Sequence, residues 1–250
     1  DMHNTDKVVT LIEECRSMKL RLDAPDVNIS EFKFTVNNEG WIVYGLGAIK
    51  GVGEGPVEAI VEAREAGSFK DLFDFCARVD LKRINKRTLE ALIRSGALDR
   101  LGPHFHEELK AYKANIDRNR AVLLAAMEEA VQAAEQTARS AESGHMDLFG
   151  GVFADAEADV YLNHLRAREL TLKERLKGEK DTLGLYLTGH PIDEYEGEVR
   201  RFARQRIVDL KAARGDQTIA GLVVNLRVMK NKKGDKMGFI TLDDRSGRIE

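Results

Sequence analysis

Apolar residues recur at every third or fourth position over much of the first 200 residues, which is typical of amphipathic helices. The spacing predicts helices over residues 7–18, 69–76, 86–95, 104–143, 165–186 and 192–202. The stretch 104–143 contains neither Gly nor Pro, so it predicts one long helix or two stacked ones. Gly96 follows the third predicted helix directly, at the position where a glycine commonly ends a helix.

Alternating apolar and polar residues predict strands in two places. Residues 32–36 alternate before the polar turn 37–40, which leads into the apolar run 41–44, and this pattern predicts a small β-hairpin. Near the end of the chain, residues 219–229 and 237–242 predict two longer strands, with the start of a third after them. The predicted fold class is therefore mainly α, a helical region followed by the first strands of a β domain.

Composition narrows the class of protein. Of the 250 residues, 43% are hydrophobic, 32% are charged and only 6% are aromatic, which fits a modular helical chain better than an aromatic-rich β-sandwich. No apolar run approaches the roughly 20 residues needed to cross a bilayer, so we expect a cytoplasmic protein with no membrane partner. Cys15 and Cys76 lie far apart, which argues against a disulfide framework and against a zinc site. Because residue 1 is Asp instead of Met, we expect a piece of a longer protein.

Charge is distributed unevenly along the chain. Residues 78–100 carry seven basic and three acidic side chains, whereas residues 128–160 carry eight acidic and one basic. Basic residues return over 200–206 and 230–236. An acidic spacer therefore separates two basic regions, and only the basic regions are suited to bind phosphates. For any one basic run taken alone, a solvated helix face is the ordinary alternative.

Residues 48–64 have the form of a helix-hairpin-helix element. Gly51 and Gly53 supply the open backbone that such a turn requires and leave space for a phosphate to reach the amide N–H groups. Val52 between them is expected to anchor the turn in the core. Pro56 lies near the start of the second helix, where its missing N–H costs nothing, and the positive end of that helix faces the turn.

Two other interpretations of this glycine turn remain open. It could be an ordinary turn between two core helices, or, less well supported, a dinucleotide-binding loop that lacks the full G-x-G-x-x-G context. The basic block 78–100 follows one helical hairpin later and contains Ser95-Gly96-Ala97, so it could form the second half of a paired unit. Contacts of this kind hold phosphates instead of base edges, which predicts sequence-tolerant and salt-dependent binding.

Four separated segments together resemble one known family. They are Tyr44 to Pro56, Leu92 to Asp99, Thr182 to Ile192 and Thr241 to Arg248. Their sequences and their order are similar to those of the α subunit of bacterial replicative DNA polymerase III, and the resemblance covers essentially the whole chain.

The resemblance implies a division of the chain into six parts. Residues 1–40 would be the end of the fingers region and 41–102 a helix-hairpin-helix DNA-binding unit. A long helical segment over 103–143 would lead to an acidic linker over 144–164. A helical segment over 165–205 and a partial OB-fold over 217–250, with about three of its five strands, would complete it.

The DNA-binding residues that we predict are those of the glycine turn and of the basic block after it. They are Lys50, Gly51, Val52, Gly53, Glu54, Gly55, Lys82, Arg83, Lys86, Arg87 and Arg94. The family resemblance implies double-stranded primer-template DNA as the partner of this unit, and other polymerase III holoenzyme subunits as further partners. Through the OB-fold it also implies single-stranded template.

The acidic linker contains an isolated apolar cluster. The run His145, Met146, Asp147, Leu148 and Phe149 is similar to the family's internal clamp-binding pentapeptide, and its apolar side chains would fill a groove of the β sliding clamp. His145 stands where the family usually has Gln, so its hydrogen bond would differ and could depend on pH. The alternative is that Leu148 and Phe149 pin the linker to a neighbouring helix.

No catalytic or metal site is predicted within this chain. The family's catalytic aspartates and its Mg²⁺ lie in its palm domain, so we expect the chain alone to bind no cofactor and not to polymerise, although the parent protein would be a DNA-directed DNA polymerase. His104 and His106 are close in sequence, but we interpret them as surface residues. Asp243 and Asp244 are adjacent, so they would point to opposite strand faces, and we assign them a turn role.

Two other functions remain open beside the DNA- and clamp-binding one. A non-enzymatic helix-hairpin-helix and OB-fold module of a repair or recombination protein would share the DNA contacts but would need no clamp. A purely structural helical scaffold would have no affinity for DNA, and replacing Gly51 and Gly53 would then change stability alone.

Overall fold

A computed structural model describes residues 4–142, 160–203 and 205–250. The described chain forms two compact units, divided between Leu187 and Thr188. The six-part division implied by the resemblance stays a prediction, and the boundary between the two units falls inside its 165–205 segment. The predicted clamp peptide 145–149 lies outside the described residues.

The first unit is mostly helical. Its elements in chain order are α1 (Thr5–Ser17), β1 (Leu22–Asp23), β2 (Thr35–Val36), β3 (Ile42–Val43), α2 (Glu54–Arg64), α3 (Leu72–Arg78), α4 (Lys86–Ser95), α5 (Leu109–Glu142) and α6 (Leu172–Leu183). Short 3₁₀ turns lie at Leu46–Ala48 and Asp99–Leu101. The stretch expected to form one long helix or two stacked ones is therefore one helix, α5.

Local capping chemistry sets several helix ends. The Asn4 side chain accepts from the N–H of Lys7 and begins α1, and Asn85 accepts from Thr88 in the same way to begin α4. Gly96, with φ +90°, ends α4 as the sequence predicts. The predicted helix over 165–186 is shorter in the structure, because a reciprocal capping box between Thr171 and Glu174 starts α6 only at Leu172.

The three short strands form one small sheet. β2 and β3 pair antiparallel as the predicted hairpin, with Val36 opposite Ile42. β1 adds to the other side of β3 in parallel, with Leu22 opposite Ile42. The sequence did not predict β1, since two residues carry no readable periodicity.

A single hydrophobic core joins the sheet to the helices. Leu46, Phe75, Leu92 and Val122 are completely buried in it, and α3 and α4 both pack against α5. Tyr161 is also buried, and its hydroxyl accepts from the N–H of Leu72 over 2.8 Å. The predicted DNA-binding unit therefore shares its core with the long helix after it.

The second unit contains the longer strands. A 3₁₀ turn at Pro191–Tyr195 leads into α7 (Glu196–Phe202), and a further turn at Ile207–Asp209 precedes β4 (Leu222–Lys230), β5 (Lys236–Asp243) and β6 (Arg248–Ile249). The strands pair antiparallel in the order β4-β5-β6. The helix predicted over 192–202 is split, with α geometry only from Glu196. A helical region followed by strands is confirmed as the fold class.

Candidate nucleic-acid interface

The glycine turn lies between a single 3₁₀ turn and α2, instead of between two full helices. The N–H of Leu46 donates to the carbonyl of Glu31 over 2.9 Å, and that of Gly47 donates to Phe32 over 3.0 Å. A Cβ on Gly45 would lie 2.6 Å from the backbone of Lys33, so the chain can pass this closely only at a glycine. These contacts hold the segment before the turn against residues 31–34.

Gly51 alone of the two turn glycines needs its conformational freedom. Its φ is +86°, in the left-handed region that disfavours residues with a Cβ. Gly53 is extended, with φ −82° and ψ −178°, and a Cβ there would meet only Pro56, at 4.0 Å. The expectation that both glycines supply an open backbone conformation is therefore wrong for Gly53, whose missing side chain leaves only free space at the surface.

The turn presents backbone donors to its surroundings. Val52 is 4% exposed and anchors the turn in the core, as predicted. Within the described part of the chain, no acceptor bonds to the N–H groups of Gly51, Gly53, Glu54 or Gly55. The last three lie at the N-terminus of α2, where the helix dipole adds partial positive charge.

The first turn of α4 lies beside the glycine turn. The buried hydroxyl of Thr88 donates to the carbonyl of Gly51 over 3.1 Å, and the Cβ of Ala91 lies 3.9 Å from where a Cβ of Gly51 would be. Lys86 and Arg87, in the same turn of α4 as Thr88, are exposed. The structure thus places the first turn of α4, which carries Lys86 and Arg87, beside the glycine turn, although Thr88 and Gly51 are 37 positions apart.

The predicted basic residues differ in their ion pairs. Lys50, Lys82 and Arg87 are exposed and form no ion pair with any residue that the structure describes. Lys86 pairs with Glu128 over 3.3 Å, at a site where both side chains are mostly exposed. Such a surface pair is weak and would open readily for a competing phosphate.

Two of the predicted basic residues are less available to bind a ligand. Arg83 bridges Glu58 and Glu62 on α2, with Nη1 3.0 Å from the Glu62 carboxylate. Arg94 lies seven residues beyond Arg87, roughly 10 Å further along α4. Its Nε donates to Glu90 over 2.8 Å.

A buried ion cluster that the sequence did not indicate lies behind α4. Arg120 on α5 is 1% exposed and bonds both carboxylate oxygens of Asp99 and the carboxylate of Glu179 on α6, all within 3.3 Å. Tyr112 donates to Asp99 over 2.5 Å. Burial alone would lower the pKa of Arg120, but Asp99 and its hydrogen bonds raise that pKa well above its usual value.

The adjacent carboxylates in the second unit organise a turn, as expected. Asp244 accepts from the N–H groups of Ser246 and Gly247, and Asp243 accepts from the N–H of Arg245. His190 lies with its Nε2 3.3 Å from Asp243. Burial opposes ionisation of Asp243, but the nearby His190 imidazole and a hydrogen bond from Arg248 outweigh it and hold the carboxyl pKa well below its usual value.

Among the described residues, no group of three or more His, Cys, Asp or Glu side chains is arranged to hold a metal ion. None of the helices in 4–142, 160–203 and 205–250 is long and apolar enough to cross a membrane.

The helix-hairpin-helix motif family matches residues 19–107. This range contains the glycine turn together with α2, α3 and α4. The first unit thus carries a motif of the helix-hairpin-helix class.

Comparison with curated proteins identifies the family more narrowly. The whole chain is 84% identical to DNA polymerase III subunit alpha of Pseudomonas fluorescens and 83% identical to that of Pseudomonas aeruginosa. It is 46% identical to the same subunit of Escherichia coli strain K12. The resemblance to the α subunit of bacterial DNA polymerase III is confirmed. The chain spans 21% of the length of each Pseudomonas relative and 20% of the Escherichia coli one.

Proposed function

We propose that this chain is a DNA-binding and clamp-binding portion of the α subunit of a bacterial replicative DNA polymerase. The observation that carries the DNA-binding part is the arrangement around Gly51. Free backbone N–H groups, the first turn of α4 and the exposed cations Lys50 and Arg87 lie together at one surface.

The arrangement is suited to hold the phosphates of duplex DNA. The N–H groups of Gly53, Glu54 and Gly55 would bind one phosphate at the N-terminus of α2. Glu54 would contribute through its backbone, because its carboxylate repels a phosphate. Lys50, Lys82, Lys86 and Arg87 would neutralise neighbouring phosphates, and Arg83 would first have to leave its acidic partners. None of these groups reads a base, so binding is expected to be independent of sequence.

The parent protein is proposed to be a DNA-directed DNA polymerase, in which residues outside this chain and their Mg²⁺ carry out nucleotide transfer. The chain itself would contribute binding to the DNA duplex and would need no cofactor. It is expected to bind primer-template DNA without extending the primer.

Clamp binding is proposed for His145 to Phe149, on the sequence pattern alone. Met146, Leu148 and Phe149 would enter an apolar groove on the β sliding clamp, and contacts with other holoenzyme subunits would follow from the same assembly. Loss of clamp binding in the double variant Leu148→Ala/Phe149→Ala, measured by surface plasmon resonance, is the expected result. An unchanged affinity for the clamp would overturn the proposal for this peptide but would not affect the proposed DNA contacts.

The strands of the second unit are proposed to begin an OB-fold that binds single-stranded template. Arg227 and Phe239 are opposite each other on β4 and β5, with the guanidinium carbon 4.9 Å from the ring centroid. Met229 and Met237, two positions along, lie on the same face of the hairpin. A cation and an aromatic ring side by side are typical of surfaces on which bases stack.

The DNA contact is tested by reversing a charge at the turn. We expect Arg87→Glu to weaken binding to a fluorescein-labelled duplex, measured by anisotropy, and to reduce the slope of log K against log salt by about one. Lys113→Glu makes the same charge change at an exposed position of α5. It lies 15 residues before Glu128, the partner of Lys86, which is about 22 Å along the helix.

The two variants distinguish a specific contact with DNA at the glycine turn from a general attraction between DNA and positive charge on the protein. Equal losses for Arg87→Glu and Lys113→Glu would indicate attraction of DNA to the whole surface and would overturn the proposed site. A wild-type chain without duplex affinity would favour the structural scaffold. The repair or recombination module predicts the same DNA result, but similarity over the whole chain to polymerase III α subunits favours the polymerase.

A further inference from the structure

The glycine turn is held by two helices that are far apart in the sequence. On one side, Thr88 of α4 bonds to the carbonyl of Gly51. On the other side, the N–H of Lys50 donates to the carbonyl of Thr182 over 2.8 Å. Thr182 belongs to the last turn of α6, where carbonyl groups have no partner within the helix. α6 lies outside residues 19–107, the range of the motif match.

α6 approaches α4 closely because of a glycine. A Cβ on Gly178 would lie 3.3 Å from the Cβ of Arg94, tighter than an ordinary van der Waals contact. Glycine weakens a helix at an interior position, so its presence here needs a reason, and the close contact supplies one.

The buried ion cluster fixes α6 in that position. Glu179 is completely buried, and one carboxylate oxygen accepts from Arg120 over 2.9 Å. Its other oxygen accepts from the N–H of Leu187 over 2.7 Å. Arg120 is bonded in turn to Asp99, which begins the 3₁₀ turn three residues after Gly96, the cap of α4. Since each buried charge depends on its partner, α6 cannot shift without leaving a charge unpaired.

We infer that α6 is a positioning element for the DNA-contacting turn, and that Glu179 is the residue through which it acts. Glu179 does not reach DNA itself. It locks α6 against α5, and α6 holds Lys50 and Gly51 in place through the Thr182 carbonyl. The inference rests on the proposed function, because it assigns a role in a DNA contact.

Glu179→Ala in the 250-residue chain tests this role, with Asp181→Ala as the matched control. Asp181 lies two residues away on the same helix, is mostly exposed and pairs only with the exposed Lys177 among the described residues. Both variants remove one carboxylate from α6, so they differ in burial and contacts. Amide hydrogen exchange across residues 49–53 and duplex affinity as a function of salt are measured for each.

We expect Glu179→Ala to raise exchange at the Lys50 amide about tenfold or more, while amides in the middle of α5 keep their protection. Duplex affinity should fall severalfold with an unchanged salt slope, because no cation at the interface is lost. Asp181→Ala should change neither the exchange nor the slope. A general loss of stability would instead raise exchange in α5 as well.

Unchanged exchange at Lys50 in a folded Glu179 variant would overturn the inference. If Glu179→Ala does not fold, Glu179→Gln is measured in its place, because it preserves the volume of the side chain while removing its charge and one of its two acceptor oxygens. If exchange at the turn rises but wild type has no duplex affinity, the proposed function fails while the mechanical link between α6 and the turn stands. If affinity falls while exchange is unchanged, the link itself is wrong.

Discussion

The hydroxyl of Thr88 donates to the carbonyl of Gly51 over 3.1 Å. This bond joins the start of α4 to the glycine turn and so sets the spacing between the two groups of donors that are proposed to bind phosphates. The two residues that this hydrogen bond joins are 37 positions apart in the sequence, and only folding brings them together.

Thr88→Val removes this hydrogen bond while nearly preserving the volume of the side chain. The Gly51 carbonyl loses one partner, and α4 loses the hydroxyl that also approaches its cap residue Asn85. We expect about 1–2 kcal/mol lower stability to urea and weaker duplex binding. Thr88→Ser, which keeps the hydroxyl, should retain most of the affinity. Equal duplex affinities of Thr88→Val and Thr88→Ser would show that this hydrogen bond does not contribute to DNA binding.

Substitutions at the two turn glycines are expected to separate stability from binding. Gly51→Ala forces a Cβ into the left-handed region, which should lower the free energy of unfolding, measured with urea, by about 1–2 kcal/mol. Gly53→Ala meets no obstacle within the protein and should change stability by less than about 0.5 kcal/mol. Its Cβ would nevertheless project where the proposed phosphate would bind, so duplex affinity should fall. Normal affinity for Gly53→Ala would place the phosphate elsewhere.

Tyr44 is completely buried, and no described residue accepts from or donates to its hydroxyl. Burial without a partner raises the pKa of this phenol, since the charged form would be still less solvated. Tyr44→Phe removes the unsatisfied hydroxyl and keeps the ring contact with Phe34, whose centroid is 4.7 Å away. We expect the variant to be about 1 kcal/mol more stable in urea unfolding. A less stable variant would reveal a partner for the hydroxyl.

The turn after β5 is expected to weaken in acid. Despite burial, the pKa of Asp243 is depressed in the folded protein by the nearby His190 imidazole and by the hydrogen bond from Arg248. Its contribution is therefore present above the unfolded pKa, ordinarily about 3.9, and is lost as the pH falls below that value towards the folded pKa. Amide resonances of β5 and β6 followed by NMR should report this loss.

Asp243→Asn is the control for that acid transition. It should weaken the turn already at pH 7, because an amide cannot accept from Arg248 and Arg245 as a carboxylate does. It should also flatten the dependence on pH. An equally steep acid transition in Asp243→Asn would assign the effect to another carboxyl group, such as Asp244, whose pKa is also lowered by hydrogen bonds despite partial burial.

Features of the fold that depend on local interactions could be predicted from the sequence. Gly96 ends α4 where the sequence predicts, and the glycine turn with its buried Val52 lies where the motif predicts. The family could likewise be recognised from four short segments. In each case the information lies within a few consecutive residues, because capping, turns and motifs depend on neighbours in the chain.

The rest was decided by tertiary structure. The buried cluster joins Asp99, Arg120 and Glu179, which are separated by 21 and 59 positions, and each alone looks like an ordinary charged helix residue. The same holds for the cations: Arg87 lies near the turn and is free of described acids, whereas Arg83 is held by two of them. The sequence does not give the distances between charged side chains in the folded protein. Only packing therefore determines which charged side chains are buried, which form ion pairs and which remain available to a ligand.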